Sequence, residues 1–235
     1  MMRSLVFSLC MGLVFGAPQL QYESEGPDSC CAPAQWEADF DQTTVLEPQA
    51  STPNAKTQVL KQVGHIWFDA PNNRKAYRIY QKVAGENMVH INVVADYNKK
   101  LKYFINPEKE TCYTEPTPTK ELPRCLNVSD PNVKYLKSLT IGLDLKVNLW
   151  EQKINTKQLQ ATYDYLFTPD KCILVEFSSY GAILIQGQAT NRIESSVTSG
   201  VSLKLRDTDI FDIPSYCNTN WFQKEDMPFV SEPSF

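Results

Sequence analysis

Apolar and polar residues alternate along most of the chain. In residues 88–97, apolar side chains occupy every second position, with His90, Asn92 and Asp96 between them. A period of two is typical of a β-strand with one buried face and one wet face. The same alternation recurs in residues 75–83, 100–106, 145–152, 159–167 and 201–206. The pattern therefore predicts a chain built mainly of strands.

Turn-forming residues separate these strands at short intervals, as at Asn98-Lys99 and at Thr168-Pro169-Asp170. Short connections indicate consecutive antiparallel neighbours rather than parallel crossovers. Including less regular apolar stretches, the sequence predicts about eleven strands. These stretches are residues 35–46, 60–69, 111–114, 137–143, 172–179 and 182–189. Helix is expected only as short turns, at residues 191–199 and after Cys217.

Eleven twisted antiparallel strands are more than one flat sheet usually holds. We therefore predict an all-β fold with minor helix, in which two curved sheets stack and can leave an apolar pocket between them. Ordinary core packing is enough to explain any one apolar residue on an inner face. The hypothesis of a pocket therefore rests on all of these residues taken together. The predicted inner-face residues are Trp67, Tyr77, Ile79, Val93, Tyr103, Leu149, Tyr163, Tyr165, Phe167, Val175, Phe177, Ile183 and Ile185.

The N-terminus has the features of a secretory signal peptide. Arg3 precedes an apolar run of about ten residues, and small residues follow at Gly16 and Ala17. The run is shorter than the roughly 20 apolar residues of a membrane-spanning helix. No later stretch is long enough, so no membrane span is expected. We predict a signal peptide in residues 1–16, a flexible leader in 17–29, one β domain in 30–235 and an extracellular location.

Composition limits the classes of function. A net charge of −4 without a long basic run argues against nucleic acid as a partner. The only histidines are His65 and His90, and no hydrolase, zinc, phosphate-loop or dinucleotide motif occurs. These absences favour binding over catalysis, and no cofactor is required.

Cysteine usage fits an exported protein. Removal of the signal peptide removes Cys10 and leaves six cysteines, an even number that implies disulfides. Adjacent Cys30 and Cys31 are too close to bond to each other, so two separate bridges are expected to leave this point. Spacing alone does not choose among the pairings. The sequon Asn127-Val128-Ser129 predicts a glycan on a surface loop.

Three carboxylates, Asp207, Asp209 and Asp212, cluster near the C-terminus. Their spacing does not match the twelve-residue EF-hand loop, and a solvated acidic loop is the simpler interpretation. Weak extracellular calcium binding needs few ligands, so this cluster is a candidate calcium site.

Three segments together resemble those of ependymin-related proteins. They are Cys-Ala-Pro-Ala-Gln-Trp-Glu-Ala at residues 31–38, Lys-Cys-Ile-Leu-Val-Glu at 171–176 and Phe-Asp-Ile-Pro-Ser-Tyr-Cys at 211–217. The order and spacing of these segments agree over nearly the whole chain that follows the signal peptide.

The resemblance implies a secreted, glycosylated, disulfide-bonded protein with two stacked antiparallel sheets and a deep pocket similar to that of bacterial lipoprotein carriers. It further implies lipid or fatty-acid binding, calcium binding, homodimers and contact with the extracellular matrix. The implied disulfides are Cys31–Cys172 and Cys112–Cys217, which leaves Cys30 to pair with Cys125. The tandem Cys30-Cys31 departs from the vertebrate pattern, so these two could exchange roles.

Two hypotheses follow. In the first, the protein is a secreted glycoprotein that holds a lipid or fatty acid between its sheets. In the alternative, it is a calcium-associated adhesion or matrix glycoprotein that acts through its surface. A hydrolase built from scattered carboxylates is a weaker third option.

Overall fold

A computed structural model of the chain describes residues 27, 30–48, 56–83, 87–117, 119–185 and 188–218. The predicted signal peptide and, except for Pro27, the leader lie outside the described residues. The described strands are β1 Cys30–Cys31, β2 Gln35–Pro48, β3 Gln58–Asp69, β4 Arg74–Val83, β5 Val89–Asp96, β6 Leu101–Asn106, β7 Thr111–Pro116, β8 Cys125–Leu126, β9 Val133–Ile141, β10 Leu145–Asn155, β11 Leu159–Phe167, β12 Leu174–Ile185 and β13 Gln188–Ser202.

Eleven of these strands form one antiparallel sheet, in the order β7-β6-β5-β4-β3-β2-β13-β12-β11-β10-β9. This confirms the predicted all-β fold with a large antiparallel sheet. We call β2 to β7 the N-terminal half of the sheet and β9 to β13 the C-terminal half. The ladder between β2 and β13 joins the halves into one continuous sheet, where two separate stacked sheets were expected.

Strand β13 lies in the interior of the sheet, next to the central strand β2 and paired on its other side with β12. The expectation of a helical turn at residues 191–199 was therefore wrong. The three central inner positions of this strand are Arg192, Glu194 and Ser196, which face the same side as Phe177. Because these positions are polar, the apolar alternation that marks the other strands is missing here.

Two apolar clusters cover the inner face, which we define as the side of the sheet that carries Ile66, Tyr77 and Phe177. The cluster of the N-terminal half contains Trp36, Ala38, Phe40, Ile66, Phe68, Tyr77, Ile79, Ile91, Val93, Ala95, Tyr97 and Leu122. The cluster of the C-terminal half contains Cys30, Val133, Trp150, Tyr163, Tyr165, Cys172, Leu174 and Phe177.

A row of buried polar side chains crosses the middle of the inner face. The Nε2 of Gln62 donates to the Oε1 of Gln81 at 2.8 Å, and the Nε2 of Gln42 donates to the Oε1 of Gln62 at 3.0 Å. Gln42 also donates to Glu194, which pairs with Arg192. Because buried polar groups need partners, this row fixes the register of the neighbouring strands.

The outer face of the N-terminal half carries a third cluster. Trp67, Ala76 and Val94 are buried there beneath Ile210 and Phe211, which follow the last strand. The disulfide Cys112–Cys217, with its Cα atoms 5.0 Å apart, ties this C-terminal segment to β7. Strands β3 to β5 are therefore buried on both faces at Trp67, Ala76 and Val94.

Two further disulfides hold a small clasp formed by β1 and β8. The structure joins Cys30 to Cys172 and Cys31 to Cys125, with Cα atoms 5.3 and 3.9 Å apart. This corrects the implied pairing of Cys31 with Cys172 and of Cys30 with Cys125. Successive strand residues point to opposite sides, so Cys31 meets its ladder partner Cys125 while buried Cys30 points inward. The Cys112–Cys217 bridge is the one that the resemblance implies.

Helical structure within the described ranges consists of short 3₁₀ turns, at Ala70–Asn72, Asp209–Phe211 and Ser215–Asn218. None of the helices found there is long or apolar enough to cross a membrane.

Candidate functional site

A cavity of about 260 Å³ lies on the inner face, beneath the clasp and between the two halves of the sheet. Trp36 and Gln152 both line it, although their strands are four places apart, about 19 Å across a flat sheet. The sheet therefore curves around the cavity. The lining residues are Cys30, Ala32, Trp36, Phe68, Pro123, Arg124, Cys125, Leu126, Asn127, Gln152, Tyr165, Phe167, Cys172 and Leu174.

Aromatic rings form two opposite walls of the cavity. On one side, Trp36 at the start of β2 stacks on Phe68 at the end of β3, with ring centroids 5.7 Å apart. On the other side, Tyr165 stacks on Phe167 along β11, at 5.8 Å. Leu174, buried at the start of β12, completes this second wall. Such rings supply large apolar contact area, which suits them to a hydrophobic ligand.

Exposed residues of the segment around the clasp form the mouth of the cavity. Pro123, Arg124, Cys125 and Asn127 line the cavity and are exposed to solvent. Asn127 is the predicted glycan acceptor, so a glycan attached there would stand beside the mouth. Because the mouth is built from loop and clasp rather than from the long strands, it can change without breaking the sheet.

The polar groups of the cavity are few. The Tyr165 hydroxyl donates to the Oε1 of Gln152 at 3.2 Å. Burial, followed by the nearby Tyr163 and Glu194, raises the pKa of Tyr165, so this hydroxyl stays protonated. Arg124 donates from Nε and Nη2 to the carbonyl oxygen of Ala32, at 3.2 and 2.9 Å. Among the described residues that line the cavity, it is the only charged one.

The structure brings only two of the predicted pocket residues, Tyr165 and Phe167, to the cavity. Others belong to the packed inner-face clusters, namely Tyr77, Ile79, Val93, Tyr163 and Phe177. Ile183 and Val175 are half-buried on β12 and do not line the cavity. The side chain of Ile185 lies outside the described residues.

Three of the predicted pocket residues face the other way. Trp67 and Tyr103 lie on the outer face, in the cluster that the C-terminal segment covers. Leu149 pairs across the ladder with Leu166 and alternates with inner-face Trp150, so it also points outward. Each is apolar and in a strand, but the phase of its strand was assigned wrongly.

The cavity residues that the sequence prediction missed are mainly Trp36, Phe68, Leu174 and the Cys30–Cys172 bridge. The alternation of residues 35–46 contains Trp36 and could have placed it on an inner face, whereas Phe68 ends the apolar run Ile66-Trp67-Phe68, in which alternation does not distinguish the two faces. It could not have shown that they sit opposite β11, because this depends on the curvature of the whole sheet.

The candidate calcium residues do not form a single site. Among the described residues, no group of three or more histidine, cysteine or acidic side chains is placed to hold a metal ion. Asp207 borders an outer-face groove of about 590 Å³, whereas Asp212 borders a different depression. The backbone N–H of Asp209 donates to the Oδ1 of Asp207 at 3.0 Å.

The outer-face groove holds one of the two histidines. The Nδ1 of His65 lies 2.7 Å from the Oδ1 of Asp39, and its ring packs on Trp67. His90 stacks on Tyr80, with ring centroids 4.7 Å apart. Both imidazoles are thus engaged in packing or pairing contacts.

Comparisons with known proteins bear on the fold and the family. A lipovitellin structure titled for its lipid–protein interactions matches with a TM-score of 0.33 and 9% identity, over 75% of this chain and 26% of that one. The chain thus spans about a quarter of that protein, and a similarity this low does not bear on function. No curated protein sequence matches. The family model described as Ependymin matches residues 85–217, more than half of the chain, which confirms the resemblance in its sequence. The chain belongs to the ependymin family.

Proposed function

We propose that the protein is a secreted glycoprotein that binds a lipid or fatty acid in the cavity beneath the clasp. The observation that carries this proposal is the cavity itself, with aromatic walls from both halves of the sheet and a mouth at the surface. Burial of apolar ligand area would drive binding, at about 0.8 kcal/mol for each buried methylene. No bond is made or broken.

The volume of the cavity supports a slender ligand. At about 260 Å³ it lies just below the usual range of ligand pockets, about 300–1,000 Å³. A single acyl chain suits such a space better than a two-chain lipid does. Three disulfides fit the extracellular setting in which a carrier of this kind would work.

A displacement assay with a fluorescent fatty acid tests the proposal. We expect the purified protein to bind the probe and to release it to natural fatty acids at micromolar concentrations. The variant Ala32→Phe places a ring in the cavity, so we expect it to weaken probe binding by about tenfold or more.

The matched control is Ala70→Phe. Ala70 is half-buried and packs against the cluster of the N-terminal half, but it does not line the cavity. Its variant should bind the probe as the wild type does. If the folded wild type binds no probe, or if both variants weaken binding equally, the proposal is wrong.

Exposed apolar side chains favour a second candidate, a surface role in adhesion or self-association. Tyr180, Leu184, Ile193 and Val197 are 46–57% exposed on the outer face of β12 and β13. Exposed apolar patches commonly mark interaction sites. This candidate includes the homodimer, the matrix partner and calcium dependence expected from the family resemblance.

Sedimentation with and without calcium tests the surface role. If the outer face associates, Ile193→Lys should shift the protein to monomer, while the matched exposed variant Leu143→Lys on the β9–β10 turn should not. A monomeric wild type in both conditions contradicts this second candidate.

A further inference from the structure

The charge of the cavity is carried by one residue at its mouth. Arg124 lines the cavity, and none of the fourteen lining residues is acidic. Among the described residues, Arg124 forms no ion pair with a carboxylate. An apolar cavity with one unneutralised cation at its entrance complements an amphiphile that has a negative head and an apolar tail.

The guanidinium is held in place by the clasp. Its Nε and Nη2 donate to the Ala32 carbonyl at 3.2 and 2.9 Å, and the backbone N–H of Ala32 donates to the Arg124 carbonyl at 2.8 Å. The neighbouring residues Cys31 and Cys125 are joined by a disulfide. The position of the charge is therefore fixed before any ligand arrives, which lowers the cost of ordering it.

The bonds to Ala32 leave donors over for a ligand. A guanidinium has five N–H groups, and two of them serve the Ala32 carbonyl. The remaining edge can form the paired bonds that arginine makes with carboxylate or phosphate oxygens.

We infer that the ligand is a single-chain amphiphile with an anionic head group, an inference that rests on the proposed function. Arg124 recognises the head group at the mouth, and the chain lies between the aromatic walls. Carboxylate and phosphate heads share the chemistry that Arg124 would recognise. The small volume of the cavity limits the tail to one chain.

Displacement of Nile red, a neutral probe, by four amphiphiles of equal chain length tests the inference. They are dodecanoate, dodecyl phosphate, methyl dodecanoate and dodecyltrimethylammonium. We expect the two anions to displace the probe at about tenfold lower concentration than the ester, with the cation weakest. The difference between carboxylate and phosphate then identifies the preferred head.

Arg124→Gln should remove the preference, weakening both anions about tenfold and leaving the ester unchanged. Unchanged ester binding also shows that the variant is folded. Arg124→Lys, which keeps the charge but loses the planar pair of donors, should be intermediate. The matched control Lys120→Gln removes an exposed charge from the same loop, away from the cavity, and should keep the preference of the wild type.

Equal binding of anions and ester by the wild type would overturn the head-group inference while leaving the proposed carrier function standing. Equal weakening of the anions and the ester in Arg124→Gln would likewise assign Arg124 a structural role only. If none of the four amphiphiles displaces the probe, the carrier function itself fails, and the inference fails with it.

Discussion

The two halves of the sheet differ in how many of their faces are covered. In the N-terminal half, the inner face packs against its own cluster, and the C-terminal segment covers the part of the outer face that carries Trp67, Ala76 and Val94. In the C-terminal half, the described residues form a packed cluster on the inner face only, and Tyr180, Ile193 and Val197 stand exposed among them on the outer side. The same strand architecture thus yields a two-sided core and a one-sided one.

This difference shows what the C-terminal segment contributes to the stability of the sheet. Ile210 and Phe211 belong to a short 3₁₀ turn rather than to a strand, yet they bury Trp67, Ala76 and Val94. Without this segment, the apolar area on the outer face would be exposed to solvent. Its burial adds to the stability of the N-terminal half. The N-terminal half is therefore expected to be the more stable support, and the C-terminal half the more adaptable wall of the cavity.

Isoleucine-to-alanine substitution in each half gives the largest expected contrast. Ile79 is fully buried in the cluster of the N-terminal half, whereas Ile193 is 50% exposed on β13. Ile79→Ala should lower the free energy of unfolding by about 4 kcal/mol, because it leaves a cavity in a packed core. Ile193→Ala should lower it by less than about 1 kcal/mol. Urea unfolding measures both, and equal losses would contradict the proposed difference between the halves.

Removal of the Cys112–Cys217 bridge uncouples the covering segment from β7. Cys112→Ala with Cys217→Ala should lower the free energy of unfolding by about 3 kcal/mol. It should also speed hydrogen exchange in β4 to β6, whose outer face would lose its cover.

The matched control for this bridge is Cys31→Ala with Cys125→Ala. The two bridges span 105 and 94 residues, so their chain-entropy effects are similar. The control should leave exchange in β4 to β6 unchanged. Equal loss of protection in both double variants would show that the segment does not cover this face independently.

Alternation identified the strands but not always their faces, and the two-sided core explains why. In a strand with one wet face, the polar positions reveal the phase. Ile66, Trp67 and Phe68 are all buried, so an apolar run carries no phase information at this point. The predicted faces of Trp67 and Tyr103 are therefore wrong. The C-terminal segment that covers these two residues does not change the alternation of polar and apolar residues in their strands.

The cavity was less predictable than the strands. Its walls come from β2, β3, β10, β11 and β12, and its roof from the clasp. The curvature of the sheet and the disulfide that joins Cys172 to Cys30, rather than to Cys31, bring these parts together. Both depend on contacts between residues more than a hundred positions apart, on which a local pattern carries no information.

The two halves can also be compared by the pH dependence of their stability, because each contains an aspartate whose pKa is shifted, Asp69 or Asp164. In the N-terminal half, burial alone would raise the pKa of Asp69, but hydrogen bonds from Gln35, Asn72 and Arg74, each at 2.8 Å, lower it below 3.8. In the C-terminal half, burial and the nearby Glu151 raise the pKa of Asp164.

The signs of the two effects on stability are opposite. The ionised Asp69 stabilises the folded state above its ordinary pKa, and this contribution is lost as the pH falls through the lowered value. Asp69→Asn should thus cost about 2 kcal/mol at neutral pH and little in acid. Asp164→Asn should raise the free energy of unfolding by about 0.5 kcal/mol at neutral pH, a gain that vanishes as acid protonates the wild-type side chain. Urea unfolding across pH checks both, and parallel pH profiles would contradict the assignment.

Substitution of Asn127, at the mouth of the cavity between the two halves, should have the smallest effect on the free energy of unfolding, because the mouth is built from exposed loop. If Asn127 carries the proposed glycan, Asn127→Gln should remove it, leave the free energy of unfolding within about 0.5 kcal/mol of the wild type, and speed entry of a fluorescent fatty acid. Stopped-flow mixing measures entry, and the mass of the secreted protein reports the glycan. Ser129→Ala removes the same sequon but keeps the Asn127 side chain at the mouth, so the two variants should bind the probe at the same rate. Different rates would show that Asn127 itself, rather than its glycan, controls access to the space between the rigid and the adaptable half.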